Sequence, residues 1–329
     1  MAATVFRRSP QLTNVEILDL RHFSSADLRP LLEMEVDSWG TLLSWDYRSS
    51  AEMILRYVDA KILPGYAALE RGNIVGYAFF VYEGSKGVVG DLFVSSRRID
   101  ARQIESEMAD HVIETLQQSP GIHRVEAQLL THQAGHLASA FATAGFQRYR
   151  RLFLSLALDG LDAPPIPPLP LPPEIQIRRW IEQDYQPAAS VITTAYRGHI
   201  DSEINDQYRT HAGSVRFLNN IVRFPGCGVF DTESSFSAIH RPTNSLVGLI
   251  LCSRVRNDVG HVTQVCLLPE YRGQKIGENL LACTANSLRS RHFSLLSLTV
   301  TEMNDRAVDL YRRLGFIDNN AFDAFVWEG

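Results

Sequence analysis

Several things are scarce in this sequence. It holds four cysteines in 329 residues, Cys227, Cys252, Cys266 and Cys283. None stands in CxxC spacing or beside a paired-histidine motif. That excludes a disulfide framework or zinc ribbon and predicts free buried thiols in a reducing compartment. No run of about 18 apolar residues occurs, so no membrane span is expected. The opening stretch MAATVFRRSPQLTN has no apolar segment after its arginines and gives no readable secretory signal. Positive charge is not in surplus: the net charge is −5, which argues against a nucleic-acid binder. His132 and His136 are four apart, but no third ligand or HExxH pattern accompanies them, so they read as part of a polar loop before a helix and no metal is expected. Together these absences predict a cytoplasmic protein without nucleic-acid, membrane or metal partners.

What is present points to two domains, since 329 residues exceed what one core usually organises. The segment DAPPIPPLPLPP, Asp162 to Pro173, carries seven prolines in twelve residues. It cannot be helix or central strand and reads as an extended, semi-rigid spacer. The predicted boundaries are 1–160, a linker over 161–173, and 174–329.

The two sides of the linker look alike. DLRPLLEMEVDSW (27–39) and DYQPAASVITTAY (184–196) share Asp, Pro and an aromatic at the same spacing, with the Pro expected in a helix's first turn. A hairpin follows in each half, turning at Arg71-Gly72-Asn73 and at Pro242-Thr243-Asn244. Each second hairpin strand contains Val-Gly, at Val75-Gly76 and Val247-Gly248. A short helix closed by Gly-Phe ends each half, AFATAGF and LYRRLGF, with Gly145 and Gly315 where a left-handed C-cap belongs. Each half therefore reads as strand, helices, hairpin, strand, helix, strand, helix, strand: an α/β unit repeated twice.

In the second half a β-branched strand, GHVTQVCLLP, runs into EYRGQKIG and then a helix. A tight basic loop opening a helix is a ready anion site, because the first turn's N–H groups are unpaired and carry partial positive charge. Gly273 and Gly277 allow close backbone approach. Arg272 and Lys275 add charge. The loop is neither a GxxxxGK[ST] phosphate loop nor a GxGxxG fingerprint.

The loop Arg272–Gly277, followed by Asn304, Ala307, Leu310, Tyr311, Gly315 and Phe316 in N-x-x-A-x-x-L-Y-x-x-x-G-F, resembles the GNAT superfamily of acetyl-CoA-dependent N-acetyltransferases. The likeness is sharp over residues 245–320. It implies an α/β fold of two tandem GNAT-like domains, each a mixed, mostly antiparallel sheet flanked by helices. The family's loop is [Q/R]-x-x-G-x-[G/A], and Lys275 stands where the inner glycine is common. A helical φ at Lys275 is expected, since a helix follows directly. The resemblance implies that Arg272, Gly273, Gln274, Lys275, Ile276 and Gly277 hold the pyrophosphate of acetyl-CoA. It implies that the strand at Cys266, Leu267 and Leu268 pairs with the pantetheine arm, with Cys266 an inert thiol. Asn304 would bind near the cofactor or serve as a helix cap. Tyr311 would be the general acid, the alternative being a core aromatic. His261, at the start of the strand, is the expected general base, with Asp258 and Glu302 as fallbacks.

The first half's counterpart loop, VSSRRIDARQI, has no glycine, although Arg97, Arg98 and Arg102 remain. Phe141 falls opposite Tyr311, and Ala134 opposite Asn304. The first half is therefore expected to be a scaffold without the chemistry, shaping the acceptor cleft. Residues 195–230 form one acceptor wall in the family, and Tyr196, His199, Asp201, Glu203 and Asp206 could meet a cationic amine. The implied activity is transfer of an acetyl group to a primary amine of a small molecule or peptide. A non-catalytic acyl-CoA sensor and an enzyme for longer acyl chains stay open.

Overall fold

A computed structural model describes residues 15–95, 98–160, 164–223 and 228–329. The opening stretch, Arg97, Asp162 and Cys227, each used above, lie outside the described residues.

The first half runs β1 (Glu16–Asp19), α1 (Ser25–Leu43), α2 (Arg48–Asp59), β2 (Gly65–Glu70), β3 (Asn73–Glu83), β4 (Lys86–Val94), α3 (Ala101–Gln118), β5 (Arg124–Gln128), α4 (Ala138–Thr143) and β6 (Gln147–Ala157). The second runs β7 (Ile175–Arg179), α5 (Tyr185–Ala195), α6 (Ile200–Ile204), α7 (His211–Val222), β8 (Val229–Phe230), β9 (Phe236–His240), β10 (Ser245–Arg256), β11 (Val259–Leu267), α8 (Ile276–Ser290), β12 (Leu295–Thr301), α9 (Asp305–Arg313) and β13 (Ile317–Glu328). The predicted element order is present in both halves. One detail differs: Pro30 lies in the second turn of α1. The Ser24 hydroxyl and the Asp27 carboxylate cap each other's backbone N–H, and so start the helix earlier than the proline suggests.

The repeat is visible in the backbone. Gly76 faces Val94, and Gly248 faces Leu267, at the same place in the two hairpins. A Cβ on Gly248 would stand 2.1 Å from Leu267 Cδ2, and one on Gly76 would stand 2.8 Å from Val94 Cγ2, so a side chain at either position would force its neighbour to move. A bulge follows in each partner strand, with Gly90 and Thr263 as the extra residues.

The halves are not closed units. All strands join one 13-stranded sheet, ordered β1-β2-β3-β4-β5-β13-β6-β12-β11-β10-β9-β7, with β8 beside β10. The last strand of each half is exchanged: β13 pairs with β5, and β6 lies between β13 and β12. Leu152, Leu154 and Leu156 of β6 pack into the core under α8, while Phe325 of β13 packs in the first half's core. The proline-rich linker is not a free spacer. Asn286 on α8 bonds both the N–H and the C=O of Ile166, and Asn279 accepts from Leu169 N–H.

Candidate active site

In the second half, β11 and β12 run parallel and pair only from Val259–Leu295 to Val262–Leu298. Beyond Val262 the strands splay. From Gln264 to Leu267, β11 keeps β10 on one side and, among the described residues, has no strand on the other. Cys266 and Leu267 thus offer a free backbone edge that an extended ligand could pair with, and Leu268 follows, its N–H turned back to Val247. Burial pushes the Cys266 thiol up to about 12, so it is an inert thiol.

The loop after β11 ends at the N-terminus of α8. Backbone N–H groups from Gly273 through Glu278 have no partner among the described residues, whereas Arg272 N–H bonds Pro269 and Asn279 N–H bonds Lys275. A row of unpaired donors at the positive end of a 15-residue helix suits a phosphate. Gly277 is not needed for packing, since an added Cβ would meet nothing closer than Leu267 Cδ1 at 3.7 Å.

One expectation for this loop is corrected. Lys275 takes φ 63° and ψ 8°, the left-handed region, not a helical φ. The chain must reverse sharply between Gly273, at φ 76°, and the helix, and position 275 absorbs part of that turn. One donor of the Arg272 guanidinium is in use: its Nη2 donates to the Ala195 carbonyl at the end of α5, 2.6 Å away. Gln274 Nε2 donates back to Glu270 O, and Lys275 Nζ lies 3.4 Å from Glu278 Oε1.

Tyr311 on α9 is 6% exposed, and among the described residues its hydroxyl makes no hydrogen bond. Burial and the nearby Asp201 charge push its pKa up, keeping the proton on the oxygen. Around it stand residues of the acceptor segment. Tyr196 donates to Gln264 Oε1 at 2.6 Å and stacks on Tyr208 with centroids 4.3 Å apart. The Thr301 hydroxyl donates to Asp201 Oδ1. His199 Nδ1 accepts the Asp201 N–H at 3.1 Å, and its Nε2 lies 3.4 Å from Asn304 Nδ2. Asn304 occupies the N-cap position of α9, but its side chain makes no cap bond, which overturns the capping alternative.

His261 does not fit the role of base. It is 5% exposed, its Nδ1 lies 2.9 Å from Ser297 Oγ, and Trp45 of the first half covers its ring at 4.8 Å. Burial, with the Arg151 charge, lowers its pKa to about 3, so it is a feeble proton acceptor near neutrality. Among the fallbacks, Asp258 is tied to Arg256 at 2.6 Å and held at about 2, at the far end of β11. Glu302 is exposed beside Arg150. Sequence reasoning named Asp201 only as an acceptor contact. The signal for more is tertiary: its Oδ1 is fixed by Thr301, while Oδ2 has no hydrogen bond.

The corresponding place in the first half is built differently. Its loop from Val94 to α3 is shorter, and Arg98 is forked between Glu70 and Asp100. Buried Glu35 and Asp91 lie against each other, bonded by Tyr77 and Tyr47 at 2.7 and 2.9 Å. His132 and His136 converge on Glu105.

Comparison with known proteins places this geometry. Residues 200–316 match the family described as "Acetyltransferase (GNAT) family". A mycothiol acetyltransferase of Thermobifida fusca is 29% identical over 196 residues, covering 53% of this chain and 56% of that protein. A thialysine N-epsilon-acetyltransferase of Bos taurus is 38% identical over 58 residues, 18% of this chain and 34% of that protein. The matches thus span about half and about a third of those relatives. Among solved structures, a GCN5-related N-acetyltransferase from Sphaerobacter thermophilus aligns with TM-score 0.67 and 17% identity over 95% of each chain. A tandem GNAT protein from the clavulanic acid biosynthesis pathway aligns with TM-score 0.59 and 15% identity over 95% of this chain and 98% of its own. The fold is the tandem GNAT fold, and the family match lies in its second half.

Proposed function

We propose that the second half of this GNAT-fold chain transfers an acetyl group from acetyl-CoA to a primary amine by direct attack, with the first half non-catalytic. The observation that carries the reading is the row of unpaired N–H groups from Gly273 to Glu278, beside a free strand edge and the Tyr311 hydroxyl. The N–H row and the Lys275 ammonium would hold the pyrophosphate, and the Cys266–Leu268 edge would hold the pantetheine arm. The cofactor supplies the thioester, whose C–S bond breaks as the C–N bond forms.

The chain's residues handle the protons. An ammonium has no lone pair, so its proton must leave before attack. Among the described residues Asp201 Oδ2 accepts no hydrogen bond, its near neighbour being His199 Nδ1 at 3.8 Å, and its charge acts on Tyr311; we assign it to receive the ammonium and accept that proton. His199 cannot, because its Nδ1 lone pair is engaged. Tyr311, its proton held by burial, donates to the departing sulfur. Both curated relatives are named as acetyltransferases, one at a nitrogen, which supports this reaction class. In the first half's loop the Arg98 guanidinium is already held by two carboxylates, Glu70 and Asp100.

The test is a calorimetric titration with acetyl-CoA, followed by amine-dependent thiol release. One site per chain is expected. Asp201→Asn and Tyr311→Phe should each lower kcat by roughly 100-fold while leaving acetyl-CoA binding unchanged. Absence of binding would overturn the reading, and binding without turnover of any amine would leave a sensor.

A further inference from the structure

Arg151, whose charge reaches His261, has no part in the chemistry described so far. It belongs to β6, the strand the first half lends to the second, and pairs directly opposite Thr301. Opposite residues of an antiparallel pair project from the same face with Cβ atoms about 5 Å apart. Thr301 holds Asp201 on that face, so the guanidinium and the Asp201 carboxylate share it. Both charges act on the Tyr311 and Tyr208 hydroxyls, with opposite sign.

The guanidinium is short of partners. Its Nη1 donates to Gln128 Oε1 at 3.3 Å, and Nη2 to Thr299 Oγ1 at 3.4 Å, both neutral and both long. Its Nε is buried with no partner among the described residues. Arg148 and Arg150, its neighbours on the strand, are each paired with a carboxylate, but Arg151 is not. A half-buried cation with five donors and no anion is costly unless a ligand completes it.

We propose that Arg151 binds a carboxylate of the acceptor, so that the amine acetylated here belongs to a free amino acid. This rests on the transferase reading above. Asp201 receives the ammonium, and the Arg151 fork receives the carboxylate beside it. The pair demands both charges on one small molecule and rejects an amine that lacks the acid. It also gives the first half a direct part in substrate selection, because the arginine is encoded there.

The experiment uses the full chain, acetyl-CoA and matched pairs: phenylalanine with phenethylamine, leucine with isoamylamine, serine with ethanolamine. At least one amino acid should exceed its decarboxylated partner by about 100-fold or more in kcat/KM. Arg151→Met should reduce that preference to a few-fold, chiefly through acceptor KM, and Arg151→Lys should restore part of it. A decarboxylated amine that reacts as well as its parent would overturn the assignment, as would an Arg151→Met enzyme with undiminished preference. If no pair reacts, the amino-acid assignment fails. The acetyl-CoA titration then separates the cases: one bound equivalent keeps the transferase reading, and none removes that as well.

Discussion

Asp91 and Gln264 are the same residue of the repeat, the one after the bulge, and they show how far the halves have diverged. In the second half the position carries an amide that accepts from Tyr196. In the first it carries an acid that meets a second buried acid, Glu35, whose pKa is raised well above the usual carboxylate range by burial and by the Asp91 charge. An acid with a raised folded pKa keeps its proton in the fold where the unfolded chain has lost it. The fold is therefore weakened as pH rises above the unfolded value of about 4.3 toward the folded one. Glu35→Gln removes that penalty while an amide can still accept from Tyr77. Its Tm should exceed that of the parent by a few degrees at pH 8 and by less at pH 5. An equal or lower Tm at pH 8 would refute the raised Glu35 pKa. Lys275 gives a second residue-scale prediction. A side chain at φ 63° costs about 1 kcal/mol, so Lys275→Gly should raise the urea midpoint slightly despite glycine's flexibility. Sequence alone could not yield that φ, because the helix start predicts one conformation and the reversal after Gly273 imposes another.

At the level of elements, the acceptor segment from α6 to α7 is held from outside. Arg124 Nη2 donates to Glu203 O at 2.5 Å, Asp206 N–H donates to Glu126 Oε1 at 3.1 Å, and Lys86 Nζ lies 2.7 Å from Asp206 Oδ1. Lys86, Arg124 and Glu126 are all buried residues of β4 and β5, strands of the first half. They anchor the segment that carries His199, Asp201 and Tyr208. Asp206→Asn breaks the charge pairing at a half-exposed point and should raise acceptor KM about tenfold, with acetyl-CoA KM unchanged. Equal effects on both substrates would mean a general loss of fold instead. Much of the element plan was legible: both hairpin turns, both Gly-Phe closures and the basic loop lie where periodicity and turn chemistry put them. His261 was not, because the side chain that covers it, Trp45, arrives from more than 200 residues away in the chain. Arg151 sits in QRYRRLFLSLA, where three arginines read alike, and only pairing with Thr301 distinguishes one.

For the whole molecule, the exchange of β6 and β13 decides what can stand alone. Each strand begins exposed and then runs buried for five residues, and nothing local says which sheet neighbour each will take, so the exchange is invisible in the sequence. Residues 174–329 expressed alone would leave a gap between β12 and β13 where β6 belongs. We expect that fragment to be insoluble, and co-expression with residues 1–160 to recover a soluble complex. A soluble, monomeric fragment with native acetyl-CoA affinity would contradict this. The same exchange governs the order of events during synthesis. When β5 and β6 have left the ribosome, the strand that must lie between them is more than 150 residues from being made. The first half must then wait with an unpaired strand edge, the condition in which neighbouring chains on one message adhere. Translation speed through the second half thus becomes a variable in the yield of the first.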